Sequence, residues 1–140
     1  MMQVRDKFVQ GVEFFKSQLI ERGDEVDVAF NGLVTGQHAC FVGPPGTGKS
    51  LMADAICEFL GPKATIFTRC LSKYTMPDEL FGAVSLEAYK QGRYERIIDH
   101  KLPCATVAFI DEVWKASSAL ANVLLKVLNE RRFENDGTIV

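Results

Sequence analysis

Eight consecutive residues carry the densest chemistry in the chain: Gly43, Pro44, Pro45, Gly46, Thr47, Gly48, Lys49 and Ser50. They satisfy G-x-x-x-x-G-K-[ST], in which glycines let backbone N–H groups converge on phosphate oxygens at the positive end of a helix. In that geometry Lys49 reaches the β- and γ-phosphates of a nucleoside triphosphate, and the Ser50 hydroxyl ligates magnesium. At ordinary residue frequencies, a chance match in 140 residues has odds of about 0.5%. A glycine-rich turn with an incidental lysine would not need the flanks found here. Ala39 to Val42 lead in as an apolar strand, and Leu51 to Ile56 lead out as a helix, the order that the pattern requires.

About sixty residues further on, the apolar run 106–110 ends in Asp111 and Glu112. In P-loop nucleoside triphosphatases an acid at that place holds Mg2+. A second acid beside it can orient or deprotonate the attacking water. An Asp-Glu pair is also common as plain solvated charge, and its place after a P-loop favours the catalytic reading. The expected site therefore has three parts. The eight loop residues and Leu51 bind ATP, Ser50 and Asp111 hold Mg2+, and Lys49 and Glu112 serve catalysis.

The elements that must position these groups follow from periodicity. Val4, Phe8, Val12, Phe15 and Leu19 form one stripe of an amphipathic helix over 3–21, with Gly23 as its left-handed cap. A second helix starts at Asp24, buries Val26, Ala29, Phe30, Leu33 and Val34, and stops at Gly36. A strand at 38–42 precedes the loop, and a helix from the loop to Leu60 ends at Gly61 and Pro62. Its buried face is Met52, Ala55, Ile56, Phe59 and Leu60. A second strand at 64–68 makes a right-handed parallel crossover.

A short helix is expected at 77–81, where proline suits the first turn. Two strand-like runs, 85–89 and 93–98, flank Gln91 and Gly92 and predict a hairpin projecting from the sheet, over about 84–103. The third strand, 106–110, is apolar throughout and reads as buried on both faces. A helix over 117–131 follows, capped by Ser117 or Ser118, with Leu120, Val123, Leu124, Val127 and Leu128 on one face. Asn135, Asp136 and Gly137 then form a turn into a strand at 138–140. The fold class is a three-layer α/β/α sandwich with a parallel sheet.

Bulk properties exclude several classes. Net charge is −2 and the isoelectric point about 5.7, which gives no general attraction to DNA or anionic membrane. In the 84–103 segment Lys90, Arg93, Arg96 and Lys101 alternate with Glu87, Glu95 and Asp99, so it reads as a solvated hairpin rather than a nucleic-acid surface. No run approaches the roughly 18 apolar residues of a membrane span. The first residues do not read as a secretory signal, and a cytoplasmic protein is expected. Cys40, Cys57, Cys70 and Cys104 are too widely spaced for a zinc motif and are expected as reduced thiols.

The loop together with Phe109, Ile110, Asp111 and Glu112 resembles the Walker A and Walker B motifs of AAA+ ATPases. Three further stretches are similar to the MoxR family, its RavA-like branch in particular. They are Met76-Pro77-Asp78-Glu79-Leu80-Phe81-Gly82, Asp111-Glu112-Val113-Trp114-Lys115-Ala116, and the stretch from Leu124 to Phe133 containing Asn129-Glu130-Arg131-Arg132. The resemblance, from about residue 20 onward, implies a homo-hexameric ATP-driven ring that cycles between ATP and ADP with Mg2+. It also implies chaperone-like work on protein clients and a partner bearing a von Willebrand factor A domain. It makes Ile20, Glu21 and Arg22 adenine-pocket candidates, and Thr68 or Arg69 a restraint on Glu112. Arg131 and Arg132 could face a neighbouring subunit.

The sensors, arginine finger and helical lid of the AAA+ pattern are expected beyond residue 140. The chain thus reads as a C-terminally incomplete AAA+ α/β domain, with N-terminal helices over 1–36 and a P-loop core over 37–140. Two other functions fit less of the sequence: a nucleotide-binding scaffold or sensor with little turnover, and a small-molecule kinase on the same loop. The kinase would need an acceptor pocket and a basic lid that the sequence does not display.

Overall fold

The computed structural model describes residues 4–19, 21–44 and 48–140, and the chain divides into two compact units, Met1–Pro62 and Lys63–Val140.

In the first unit three helices, α1 (Val4–Gln18), α2 (Gly23–Thr35) and α3 (Lys49–Leu60), share an aromatic core. The Phe30 ring lies 5.1 Å from Phe59, 5.6 Å from Phe15 and 5.7 Å from Phe8. Phe8 and Phe59 meet Phe30 edge-to-face and Phe15 stacks on it, contacts that add to the burial of the rings themselves. Gly11 is required here, because a Cβ would run into the Phe59 ring. The buried faces follow the predicted stripes, with Phe15, Leu19, Val26, Ala29, Phe30, Met52 and Ile56 inside. Val34 at the end of α2 and Leu60 at the end of α3 are exposed against expectation, and Ala53 is buried in α3.

Two expectations fail in this unit. Gly23 does not cap α1; it is the first residue of α2, and the left-handed residue of the link is Glu21, at φ 58°. The strand expected at 38–42 is not formed: residues 37–44 belong to no ladder, and Val42 is 85% exposed. An apolar run supplies the tendency to pair, but a strand exists only where a neighbouring backbone supplies the hydrogen bonds.

The second unit is built on a parallel pair, β1 (Ile66–Cys70) and β2 (Val107–Asp111), in register from Ile66 opposite Val107 to Cys70 opposite Asp111. Against it pack α4 (Pro77–Phe81) and α6 (Ser118–Glu130), giving a core of Phe67, Leu71, Leu80, Phe81, Leu102, Leu120, Leu124 and Phe133. The Phe81 and Phe133 rings stack at 5.3 Å. Ser117 caps α6 by accepting the Leu120 N–H at 3.3 Å. Among the described residues the parallel sheet holds two strands where the sequence suggested three. β2 is half-buried rather than enclosed, with Ala108 exposed, because burial on both faces needs packing on both.

The projecting hairpin is also replaced. Residues 86–90 form a helix, α5 (Leu86–Lys90), because Ser85 accepts the Ala88 N–H at 3.2 Å as an N-cap and four good helix formers, Leu86, Glu87, Ala88 and Lys90, follow. The return segment lies beside 83–85 through an antiparallel bridge, Val84 to Arg96, flanked by hydrogen bonds from the Ser85 N–H to the Glu95 carbonyl and from the Ile97 N–H to the Ala83 carbonyl. Gly82, at φ 89°, allows this close approach; a Cβ there would overlap the Ile97 carbonyl. The chain ends in a hairpin of β3 (Glu134–Asn135) and β4 (Thr138–Ile139), turned by Asp136 and Gly137 at φ 50° and 81°.

Candidate functional site

In the first unit the loop sequence opens directly onto α3. Gly48, at φ 77°, is the helix N-cap, and its carbonyl accepts the Met52 N–H at 3.0 Å. Helices leave their first-turn amides without intrahelical acceptors, so the Ser50 and Leu51 N–H groups lie at the positive end of the helix. Lys49 Nζ donates to the Gly43 carbonyl at 3.0 Å and the Pro44 carbonyl at 2.9 Å, which ties the first residue of the helix back to 43–44. Of the expected ATP-binding residues, Gly43, Pro44, Gly48, Lys49, Ser50 and Leu51 are brought together in this way. Pro45, Gly46 and Thr47 lie outside the described residues.

The adenine candidates come out differently. Ile20 lies outside the described residues, and Glu21 is exposed in the left-handed link. Arg22 stands at the α2 N-cap and donates to Glu25 Oε1 at 2.7 Å. That hydrogen bond, more than the charge of Arg22, holds the Glu25 carboxyl below its ordinary value. Arg22 thus serves the helix–helix turn.

In the second unit Asp111 stands at the carboxyl end of β2, the end where α/β sheets present ligand sites. Its carbonyl accepts the Leu71 N–H at 2.9 Å, so the ladder holds its backbone to the last residue. Its Oδ1 accepts the Glu112 N–H at 2.8 Å. Glu112 leaves the strand in left-handed backbone, φ 52° and ψ 37°, and its Oε1 lies 3.1 Å from Lys115 Nζ. The expected restraint by Arg69 is not formed: Arg69 pairs with Glu79, whose carboxylate also accepts the Met76 N–H at 2.9 Å and caps α4. Thr68 is exposed opposite Phe109 in the register. Sequence reasoning overlooked Lys115 as the partner of Glu112, although its spacing of three places it one turn along.

Taken singly, Ser50 in the first unit and Asp111 in the second each carry an oxygen donor of the kind that Mg2+ takes. Ser50 would supply the hydroxyl. Asp111 would supply its second carboxylate oxygen, since Oδ1 is engaged by the Glu112 amide. Among the described residues no helix is long and apolar enough to cross a membrane.

Fold and site thus define a mixed α/β protein in which a phosphate-loop sequence opens a helix and an acidic pair closes a parallel strand. A family model described as the MoxR domain in the MoxR-vWA-beta-propeller ternary systems matches residues 6–139. The chain belongs to this MoxR family. Two uncharacterized proteins of Methanocaldococcus jannaschii are 35% identical over 140 residues and 37% identical over 128, covering 99% and 91% of this chain. The chain spans about a third of the length of these relatives, 36% and 34%. Chaperone protein ClpB of Bacteroides thetaiotaomicron is 31% identical over 106 residues, 71% of this chain and 12% of its own length.

Proposed function

We propose that this chain is the ATP-binding part of a MoxR-type AAA+ ATPase that hydrolyses ATP with Mg2+. The observation that carries the reading is the loop sequence from Gly43 to Ser50 opening α3, with Gly48 in left-handed backbone and Lys49 bonded to the Gly43 and Pro44 carbonyls. In this reading the α3 amides and Lys49 take the β- and γ-phosphates, while Ser50 and Asp111 hold the metal, whose charge offsets that of the phosphates. Water attacks the γ-phosphorus, Glu112 takes its proton, and the bond to the β-phosphate oxygen breaks to give ADP and phosphate.

The RavA-like affiliation, a homo-hexameric ring in a longer protein, chaperone-like remodelling of protein clients and a cytoplasmic setting belong to the same proposal. A partner bearing a von Willebrand factor A domain is supported by the family description. A nucleotide sensor with little turnover is the second reading, favoured by the Glu112–Lys115 contact.

Calorimetric titration with Mg2+-ATP, followed by phosphate release, tests the assignment. Lys49→Ala should abolish nucleotide binding, and Glu112→Gln should keep binding while blocking turnover. Undiminished affinity in Lys49→Ala would remove the loop from its role. Specific activity that rises with protein concentration supports a ring, whereas a sensor shows no such rise.

A further inference from the structure

Beside α5 the second unit carries a cleft of about 540 Å3, a volume in the range of ligand pockets, and none of its lining residues has a role in the nucleotide scheme. Part of the lining is apolar: Ala88 is buried, Ile98 is half-buried, and Ile97 and Val140 are 55% and 43% exposed. Beside these stand four carboxylates, Glu87, Glu95, Asp99 and Asp136, against two guanidinium groups, Arg93 and Arg96. Both cations are already taken: Arg93 pairs with Glu95 at 2.7 Å, and Arg96 pairs with Asp78 of α4 at 2.5 Å. Glu87, Asp99 and Asp136 therefore have no cationic partner among the described residues.

We propose that this cleft binds an extended, lysine- or arginine-bearing segment of a partner protein. Such a side chain has a long apolar stem and a cationic head, so the stem can lie on Ala88, Ile97, Ile98 and Val140 while the head meets one of the unpaired carboxylates. The same excess of carboxylates repels phosphate and so disfavours nucleic acid as the occupant. Two polar groups of the lining suit a peptide backbone. Gln91 accepts from Arg93 through Oε1 at 3.1 Å, which leaves its amide N–H groups to donate to a peptide carbonyl. The Thr138 hydroxyl, without a partner among the described residues, can accept a peptide N–H. A polyamine has the charge but no carbonyl for Gln91 to meet. The charged contacts are solvent-exposed, so each contributes little and the binding weakens as salt rises.

The test uses the full chain without nucleotide, so its outcome is independent of the ATPase reading. The probe is a fluorescein-labelled octapeptide of alternating lysine and alanine, followed by fluorescence anisotropy. The Glu87→Gln/Asp99→Asn double variant should raise its Kd by ~3–20-fold, since two exposed charge pairs are lost. Arg93→Gln, which releases Glu95, should lower the Kd by ~2–5-fold. A Glu13→Gln/Glu58→Gln variant removes the same charge from exposed positions of the first unit and should stay within about twofold of the starting value. Equal losses in the two double variants mean general charge attraction and overturn the proposal, as does an absence of binding.

Two further arms fix the occupant and the place. The matching peptide of alternating glutamate and alanine should not bind, and spermine should displace the labelled peptide less well than the unlabelled peptide does. Spermine that competes equally assigns the cleft to polyamines and overturns the peptide. On addition of the lysine peptide, the amide resonances of 86–99 and 134–140 should shift, with Gln91 and Thr138 among them. Shifts confined to other segments place the binding elsewhere and also overturn the proposal.

Discussion

Replacing Asn135 by alanine should destabilise the second unit through a backbone clamp. Asn135 is 9% exposed; its Oδ1 accepts the Arg96 N–H at 2.8 Å, and its Nδ2 donates to the Arg96 carbonyl at 3.0 Å. It thereby pairs both backbone groups of one residue, as a neighbouring strand would. Arg96 in turn donates to Asp78 Oδ1 at 2.5 Å and to the Gly82 carbonyl at 2.6 Å, tying the segment to α4. Alanine leaves a donor and an acceptor unpaired, at ~1–3 kcal/mol each when fully buried. Asn135 borders a cleft of about 540 Å3 that includes Arg96, so water recovers part of this, and the net loss is ~2–3 kcal/mol. For a protein of this size that corresponds to a fall in Tm of roughly 6–12 °C. Asn135→Asp keeps the acceptor and loses the donor, and should fall between. Urea denaturation followed by circular dichroism gives the free energy, and amide exchange at Arg96 gives the local cause. A loss below about 0.5 kcal/mol, or an Arg96 amide that stays protected, would refute the clamp.

Gly82→Ala should cost ~3 kcal/mol or more, since the site combines a positive φ with a Cβ that overlaps the Ile97 carbonyl; a Tm within about 2 °C of the starting protein would contradict this. The Glu25 carboxyl sits below its ordinary value of 4.5 because Arg22 donates to it. The folded state therefore binds this proton less readily than the unfolded one. The contribution is present above about 4.5 and lost as pH falls through the lower folded value, so Glu25→Gln should flatten the acid limb of the stability profile. An unchanged acid limb in that variant would show that the pair does not survive in solution.

The local elements were the most legible. The short helix Pro77–Phe81 could be read from its proline, α6 from its apolar stripe and Ser117 cap, and the final turn from Asp136 and Gly137. These depend on interactions between residues a few positions apart, which a sequence displays directly. The segment at 84–103 misled because β-branched and aromatic residues at 93–98 suggested a strand partner at 85–89, whereas the Ser85 cap made that run a helix. Arg69 misled for a related reason: its position at the end of β1 was correct, but Glu79 from α4 claimed its guanidinium.

The candidate site shows the same division. The loop from Gly43 to Ser50 and the pair Asp111 and Glu112 stand out as candidates from residue type and spacing alone, because phosphate and metal chemistry restrict which residues can serve. The structure alone decided where the side chains point: Lys49 toward the Gly43 and Pro44 carbonyls, Glu112 toward Lys115, and Arg22 toward Glu25. It also decided that residues 38–42 pair with no strand among the described residues, while β1 and β2 pair with each other. Composition and spacing fix which groups are available and how far apart along the chain they lie. Which partner each group takes depends on what folding brings near it from elsewhere in the sequence.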